Sequence, residues 1–115
     1  MRRTGLELEE RREADRVSVV LVGALDIDSA HRVQQAIGRL FAAGRIEKLT
    51  LDLSRLAFID STGLAAVVYA SKLCERCGCE LTVIRGPDTV QQVFALTGLL
   101  EQLPFYSAEE AAARG

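Results

Sequence analysis

The sequence has few of the residues and motifs on which many enzymes and secreted proteins depend. Its 115 residues include three cysteines, two prolines, one histidine and no tryptophan. An odd number of cysteines argues against the disulfide framework of a small secreted protein. Motifs of the GxxxxGK[ST] and GxGxxG types are missing, which excludes the usual phosphate-cradling loops of nucleotide enzymes. We therefore expect neither a disulfide-stabilised secreted domain nor a nucleotide-dependent enzyme.

Charge and hydropathy exclude two further classes. The net charge of −2 provides no basic surface for nucleic acid or for an anionic membrane. No apolar run approaches the roughly 20 residues that span a bilayer. The N-terminal segment has two arginines but no apolar core, so it is not a signal peptide. We expect a cytoplasmic protein, with no direct binding to nucleic acid and no membrane insertion, that forms one domain over residues 1–115.

The three cysteines form a cluster at Cys74, Cys77 and Cys79. Their spacing resembles half of a zinc site, but a closed site needs a fourth ligand. The single histidine, His31, lies far away in the sequence. We therefore predict no metal site and no cofactor, and we interpret the cysteines as residues at the end of a helix and the start of a strand.

Hydrophobic periodicity predicts strands that alternate with helices. Alternating or β-branched runs indicate strands, and apolar residues at spacings of three and four indicate helices. The predicted strands lie near residues 6–9, 16–23, 49–53 and 80–85, with a possible short one at 99–105, and the predicted helices near 33–41, 64–74, 87–97 and 107–114. This order is typical of a single α/β domain with a mixed, mostly parallel sheet of four to five strands and about four helices.

Capping residues predict where several helices begin. Asp28 or Ser29 is expected to cap the first helix. Pro87 suits the first helical position of the third helix, because proline has no N–H to satisfy there. Ser107 and Glu110 have the spacing of a capping box, which predicts the start of the last helix.

Two loops should meet at the carboxyl edge of the parallel strands, where sheets of this kind usually carry their binding sites. They are the segments Gly23–Asp28 and Phe58–Gly63. The second places a carboxylate and two hydroxyls, from Asp60, Ser61 and Thr62, directly before a helix. Asp60 or Ser61 would cap that helix, and capping alone would account for both residues.

The Ser61 hydroxyl could be a reagent or a substrate. A serine hydrolase needs a base beside its serine, and neither a GxSxG elbow nor a suitably placed histidine is present. Phosphorylation fits better, because a phosphate at a helix N-terminus meets free amides and the positive end of the helix dipole. It would add a charge of about −1.5 to −2 beside Asp60 and leave the fold intact.

The segments around these loops read LVGALDIDSAHRVQQAI and LTLDLSRLAFIDSTGLAAVV, and a third, VFALTGL, follows later. In order and spacing they resemble the STAS domain, specifically bacterial anti-sigma-factor antagonists, over about residues 6–113. The resemblance implies an adaptor and not an enzyme. Its unphosphorylated form would bind an anti-sigma factor that is also a GHKL-type serine kinase, and would so release the sigma factor. Phosphorylation of Ser61 would switch it off, and a PPM-type serine phosphatase would restore it.

The resemblance also implies roles for single residues. Ser61 would be the phosphorylation site. The partner-binding surface would comprise Asp26, Asp60, Ser61, Thr62 and Gly63. In it, Asp60 would position the serine or contact the partner, Thr62 would support the cap, and Gly63 would allow close approach.

Two residues depart from the family pattern. Ala24 stands where the first loop of the family has glutamate, so a possible contact with a partner arginine is missing. Ala65 stands where glycine is common, a mild change because alanine favours helix. A second interpretation therefore stays open: a phosphorylation-independent STAS subunit of a transport or signalling complex, in which Ser61 is only a cap or a contact.

Overall fold

Residues 5–114, the part of the chain that this computed structural model describes, form five strands and four helices, which alternate after an initial pair of strands. The strands are β1 (Leu6–Glu13), β2 (Arg16–Leu25), β3 (Lys48–Ile59), β4 (Glu80–Ile84) and β5 (Phe105–Tyr106). The helices are α1 (Ala30–Ala42), α2 (Ser61–Cys77), α3 (Asp88–Leu96) and α4 (Ala108–Arg114). This order confirms the predicted α/β class.

The strands form one sheet in the order β1-β2-β3-β4-β5. β1 pairs antiparallel with β2 through a tight hairpin in which Glu13 lies opposite Arg16, and the other neighbouring pairs are parallel. The mixed, mostly parallel sheet is therefore confirmed. Because β2 and β3 run in the same direction, the helices that follow them both begin at one edge of the sheet.

The core lies where the sheet meets α1, α2 and α3. Burial alternates along β2 and the first part of β3, so one face of the central sheet carries the buried side chains. Side chains without any exposed surface include Val19, Leu21, Leu49, Leu51, Leu53, Val83, Val33, Ile37, Val67 and Phe94. None of the helices within residues 5–114 has the length and apolar character required to cross a membrane.

Of the three predicted helix starts, one needs correction, one is confirmed in position only, and one is confirmed with its hydrogen bonds. Pro87 is the N-cap of α3 and precedes its first helical residue, Asp88. Ser29 lies at the N-cap of α1, but its side chain forms no capping hydrogen bond. The capping box of α4 is present: the Ser107 N–H donates to Glu110 Oε1 at 2.8 Å, and the Glu110 N–H donates to Ser107 Oγ at 3.1 Å. The hydrogen bond from the Ser107 backbone also lowers the pKa of Glu110.

Candidate functional site

The loops after β2 and β3 meet at the carboxyl edge of the sheet, as predicted. The two strands end side by side, with Leu25 opposite Ile59. The Asp60 N–H then donates to the Leu25 carbonyl oxygen at 3.2 Å, and the Ile27 N–H donates to Asp60 Oδ2 at 3.1 Å. The loop before α1 and the first turn of α2 consequently form one continuous surface.

Asp60 is the N-cap of α2, which decides between the two capping residues that the sequence allowed. Its Oδ1 accepts a hydrogen bond from the Gly63 N–H at 2.9 Å, while its Oδ2 accepts the Ile27 N–H. A capping bond of this kind stabilises a helix by about 1 kcal/mol. One carboxylate thus satisfies a donor of the helix and a donor of the neighbouring loop, and fixes the two segments relative to each other.

Ser61 is the first residue of α2 and is exposed. Since Asp60 provides the cap, the Ser61 hydroxyl is not required for it, and this hydroxyl forms no hydrogen bond with any group of residues 5–114. Thr62, which is partly buried, makes no capping bond in the same part of the chain. The first N–H groups of a helix have no partner within the helix. A group attached to Ser61 Oγ would therefore lie beside free amides.

Gly63 is buried where α2 passes closest to the end of β2. A Cβ atom at this position would lie 2.4 Å from the Leu25 carbonyl oxygen and 2.8 Å from Ile59 Cγ1, closer than real Cβ atoms approach. Only glycine therefore allows α2 to begin so near the sheet. The close approach expected of Gly63 is made to Leu25 and Ile59, within the fold.

Asp26 is 4 % exposed and organises the first loop. Its Oδ1 accepts the Asp28 N–H at 3.0 Å and lies 3.2 Å from Ser29 Oγ. The Ser29 hydroxyl in turn donates to the Ala24 carbonyl oxygen at 2.9 Å and accepts the Asp26 N–H at 3.0 Å. The Asp26 side chain thus stabilises the conformation of the loop through hydrogen bonds. Because Asp26 is buried, most of its surface is unavailable to another molecule.

Two large apolar side chains are exposed on this edge, and sequence reasoning identified neither as a site residue. Ile27 is 70 % exposed in the first loop, and Phe58 is 50 % exposed near the end of β3. We therefore consider these two side chains as candidates for contact with another protein. For Ile27 a signal was available in the sequence, because the residue is an aliphatic one between two aspartates in a loop.

The sequence of this chain matches a known family. The sequence model of the STAS domain matches residues 6–112. The chain belongs to the STAS domain family. An anti-sigma-B factor antagonist of Listeria monocytogenes is 27 % identical over 104 residues, which is 90 % of each chain.

Two solved structures share the fold of this STAS domain. The unphosphorylated form of the anti-sigma factor antagonist SpoIIAA has a TM-score of 0.78 at 24 % identity, with 96 % of this chain and 95 % of that chain covered. The phosphorylated form of SpoIIAA from Bacillus has a TM-score of 0.70 at 24 % identity, with 96 % and 98 % covered. At this identity the likeness establishes the fold alone.

The cysteines of this STAS domain lie at the other end of α2 from Ser61. Gly78, with a φ of 70°, ends the helix, and the Cys79 N–H donates back to the Cys74 carbonyl oxygen at 2.9 Å. This arrangement is typical of a Schellman motif. Burial raises the pKa of the Cys74 and Cys79 thiols, which disfavours the thiolate that binds metals. Within residues 5–114 no group of potential ligands is arranged to hold a metal ion.

Proposed function

We propose that this STAS domain is an anti-sigma-factor antagonist, that it binds its partner through the edge containing Ser61, and that phosphorylation of Ser61 switches it off. The observation that carries the proposal is the state of the Ser61 hydroxyl. It is exposed at the start of α2 and forms no hydrogen bond with any group of residues 5–114, while Asp60 provides the cap. The relatives support the class of partner, since the Listeria protein is an anti-sigma-B factor antagonist.

A phosphate on Ser61 would change the surface without disturbing the fold. Among the described residues the hydroxyl has no hydrogen-bond partner whose loss would destabilise the fold, and the free amides at the start of α2 stabilise negative charge. The same edge already carries the carboxylates of Asp28 and Asp60. A phosphate would add a charge of about −1.5 to −2 and a bulky group to a surface that fits the partner without them. Unfavourable charges placed in an interface cost several kcal/mol, which is enough to abolish binding.

The partner of the unphosphorylated form is an anti-sigma factor that is also a GHKL-type serine kinase. The kinase transfers the γ-phosphoryl group of ATP to Ser61 Oγ, which loses its proton, and ADP leaves. The antagonist then dissociates, and the anti-sigma factor is again free to hold its sigma factor. A PPM-type serine phosphatase removes the group and restores the antagonist. SpoIIAA, which has the same fold, has been solved in both forms. This cycle takes place in the cytoplasm and gives the protein no catalytic role of its own.

A sigma-release assay tests the proposal. Purified complexes of the GHKL-type anti-sigma factors encoded in the source genome with their sigma factors are mixed with the wild-type protein and with Ser61→Ala and Ser61→Asp. We expect the wild-type protein and Ser61→Ala to release the sigma factor from one of these complexes, and Ser61→Asp to release at least about tenfold less. Equal release by all three proteins would contradict the switch.

The position of Ala24 favours a second candidate function, the phosphorylation-independent subunit of a transport or signalling complex. Ala24 is buried and lies opposite Phe58 in the register of β2 and β3. The edge therefore has no carboxylate where the family pattern has one. Under this alternative, none of the anti-sigma factors would bind, and stable association with a transporter or a scaffold protein would persist after Ser61→Asp.

A further inference from the structure

The loop before α1 exposes a large apolar side chain to solvent, whereas the same residue type before α2 is buried. Ile27 is 70 % exposed, whereas Ile59, the last residue of β3, is 3 % exposed. An isoleucine side chain left in water forgoes the favourable free energy that burial of its apolar surface would contribute. Nothing in residues 5–114 covers this side chain.

The backbone that carries Ile27 is fixed on both sides. The Ile27 N–H donates to Asp60 Oδ2 at 3.1 Å, which ties it to the cap of α2. On either side, Asp26 Oδ1 accepts the Asp28 N–H at 3.0 Å, and the buried Ser29 hydroxyl closes the loop. Because the backbone at Ile27 is already ordered, little conformational entropy is lost there on binding. More of the free energy gained by burying the side chain therefore appears as affinity.

The position also connects Ile27 to the proposed switch. Asp60 contacts the Ile27 backbone through Oδ2 and the first turn of α2 through Oδ1, and Ser61 is the next residue. A partner that contacts Ser61 Oγ therefore lies over the same short stretch of surface as Ile27. Interfaces draw most of their affinity from a few desolvated side chains near the centre.

From this geometry we infer that Ile27 is the apolar anchor of the interface, inserted into an apolar pocket of the anti-sigma factor beside the site that receives Ser61. The inference rests on the proposed function, because it names the side chain by which the same partner is bound. Burial of Ile27 in the complex contributes much of the affinity for the partner, and phosphorylation of Ser61 controls whether the partner binds.

The anchor is tested by measuring affinity and dissociation rate for the anti-sigma factor that responds in the sigma-release assay, by surface plasmon resonance. The variants are Ile27→Ala, the conservative Ile27→Leu, and a matched control, Leu96→Ala. Leu96 is 79 % exposed at the end of α3, outside both loops. We expect Ile27→Ala to weaken binding about tenfold or more, mainly through faster dissociation, with Ile27→Leu and Leu96→Ala within about threefold of wild type.

Each other outcome has a distinct meaning. If the wild-type protein binds and Ile27→Ala binds as tightly, the anchor is wrong and the proposed function stands. If the wild-type protein binds none of the anti-sigma factors, the proposed function is wrong and the anchor falls with it. Sedimentation of the free proteins completes the test. A wild-type dimer that Ile27→Ala converts to a monomer would show that a second copy of the chain covers Ile27, which also overturns the inference.

Discussion

The tripeptide Ile-Asp-Ser occurs twice at the same edge of the sheet, and its two copies have opposite roles. In the first copy, Ile27 is 70 % exposed and Ser29 is buried; in the second, Ile59 is 3 % exposed and Ser61 is exposed. In the first copy the serine, Ser29, is the N-cap residue of α1. In the second copy the aspartate, Asp60, is the N-cap residue of α2. Identical residues are thus placed one position apart relative to their helices.

The length of the connection explains the difference. Ile59 is the last residue of β3, and a single residue separates it from α2. The first copy lies in the longer connection between β2 and α1, so Ile27 is beyond the sheet and cannot reach the core. After the short connection, the Ser61 side chain is exposed at the start of α2. In the longer connection, the Ser29 side chain is buried and donates to the Ala24 carbonyl oxygen. Ser29 and Ser61 therefore differ in exposure along with the length of their connections, although the same two residues precede each of them.

The isoleucines should show the largest difference in stability. Ile59→Ala removes a buried side chain from the core, and we expect it to lower the free energy of unfolding by about 2–5 kcal/mol. Ile27→Ala removes an exposed one and should change it by less than about 0.5 kcal/mol. Urea unfolding of the two variants measures both values. Similar losses of unfolding free energy in the two variants would contradict the difference in burial between Ile27 and Ile59.

The serines should differ by a smaller amount in the same direction. Ser29→Ala leaves the Ala24 carbonyl and the Asp26 N–H without their partner, and we expect a loss of about 1–3 kcal/mol. Ser61→Ala removes a hydroxyl with no hydrogen bond in residues 5–114 and should stay within about 0.5 kcal/mol of wild type. Thermal and urea unfolding again provide the measurement, and a costly Ser61→Ala would indicate that Ser61 is structural.

A negative charge at Ser61 should have the smallest effect on stability. Ser61→Asp places a carboxylate at the start of α2, where the helix dipole compensates for repulsion from Asp60, so we expect a change within about 0.5 kcal/mol. Ser61→Asn, similar in size and uncharged, is the control. If Ser61→Asp alone lost more than about 1.5 kcal/mol, phosphorylation would act by unfolding the edge and not by blocking an interface.

Much of the fold follows from local patterns. The alternation in β3, the edge strand β1 and the capping box at Ser107 were all predicted, because each depends on residues close in sequence. The roles of Asp60 and Ser29 were not resolved by the sequence, since the residue that caps a helix depends on where the strand before it ends. The close contact of Gly63 with Leu25 joins two segments far apart in the chain, and no local pattern encodes it.

The proposed switch is tested most directly by the mass of the protein after incubation with ATP and the GHKL-type anti-sigma factor that responds in the sigma-release assay. The wild-type protein and Ser29→Ala should each gain the mass of one phosphate, and peptide mapping should place it on Ser61. Ser61→Ala should gain none. No added mass on the wild-type protein, or a phosphate that persists in Ser61→Ala, would contradict the claim that the exposed serine of the second Ile-Asp-Ser copy is the switch.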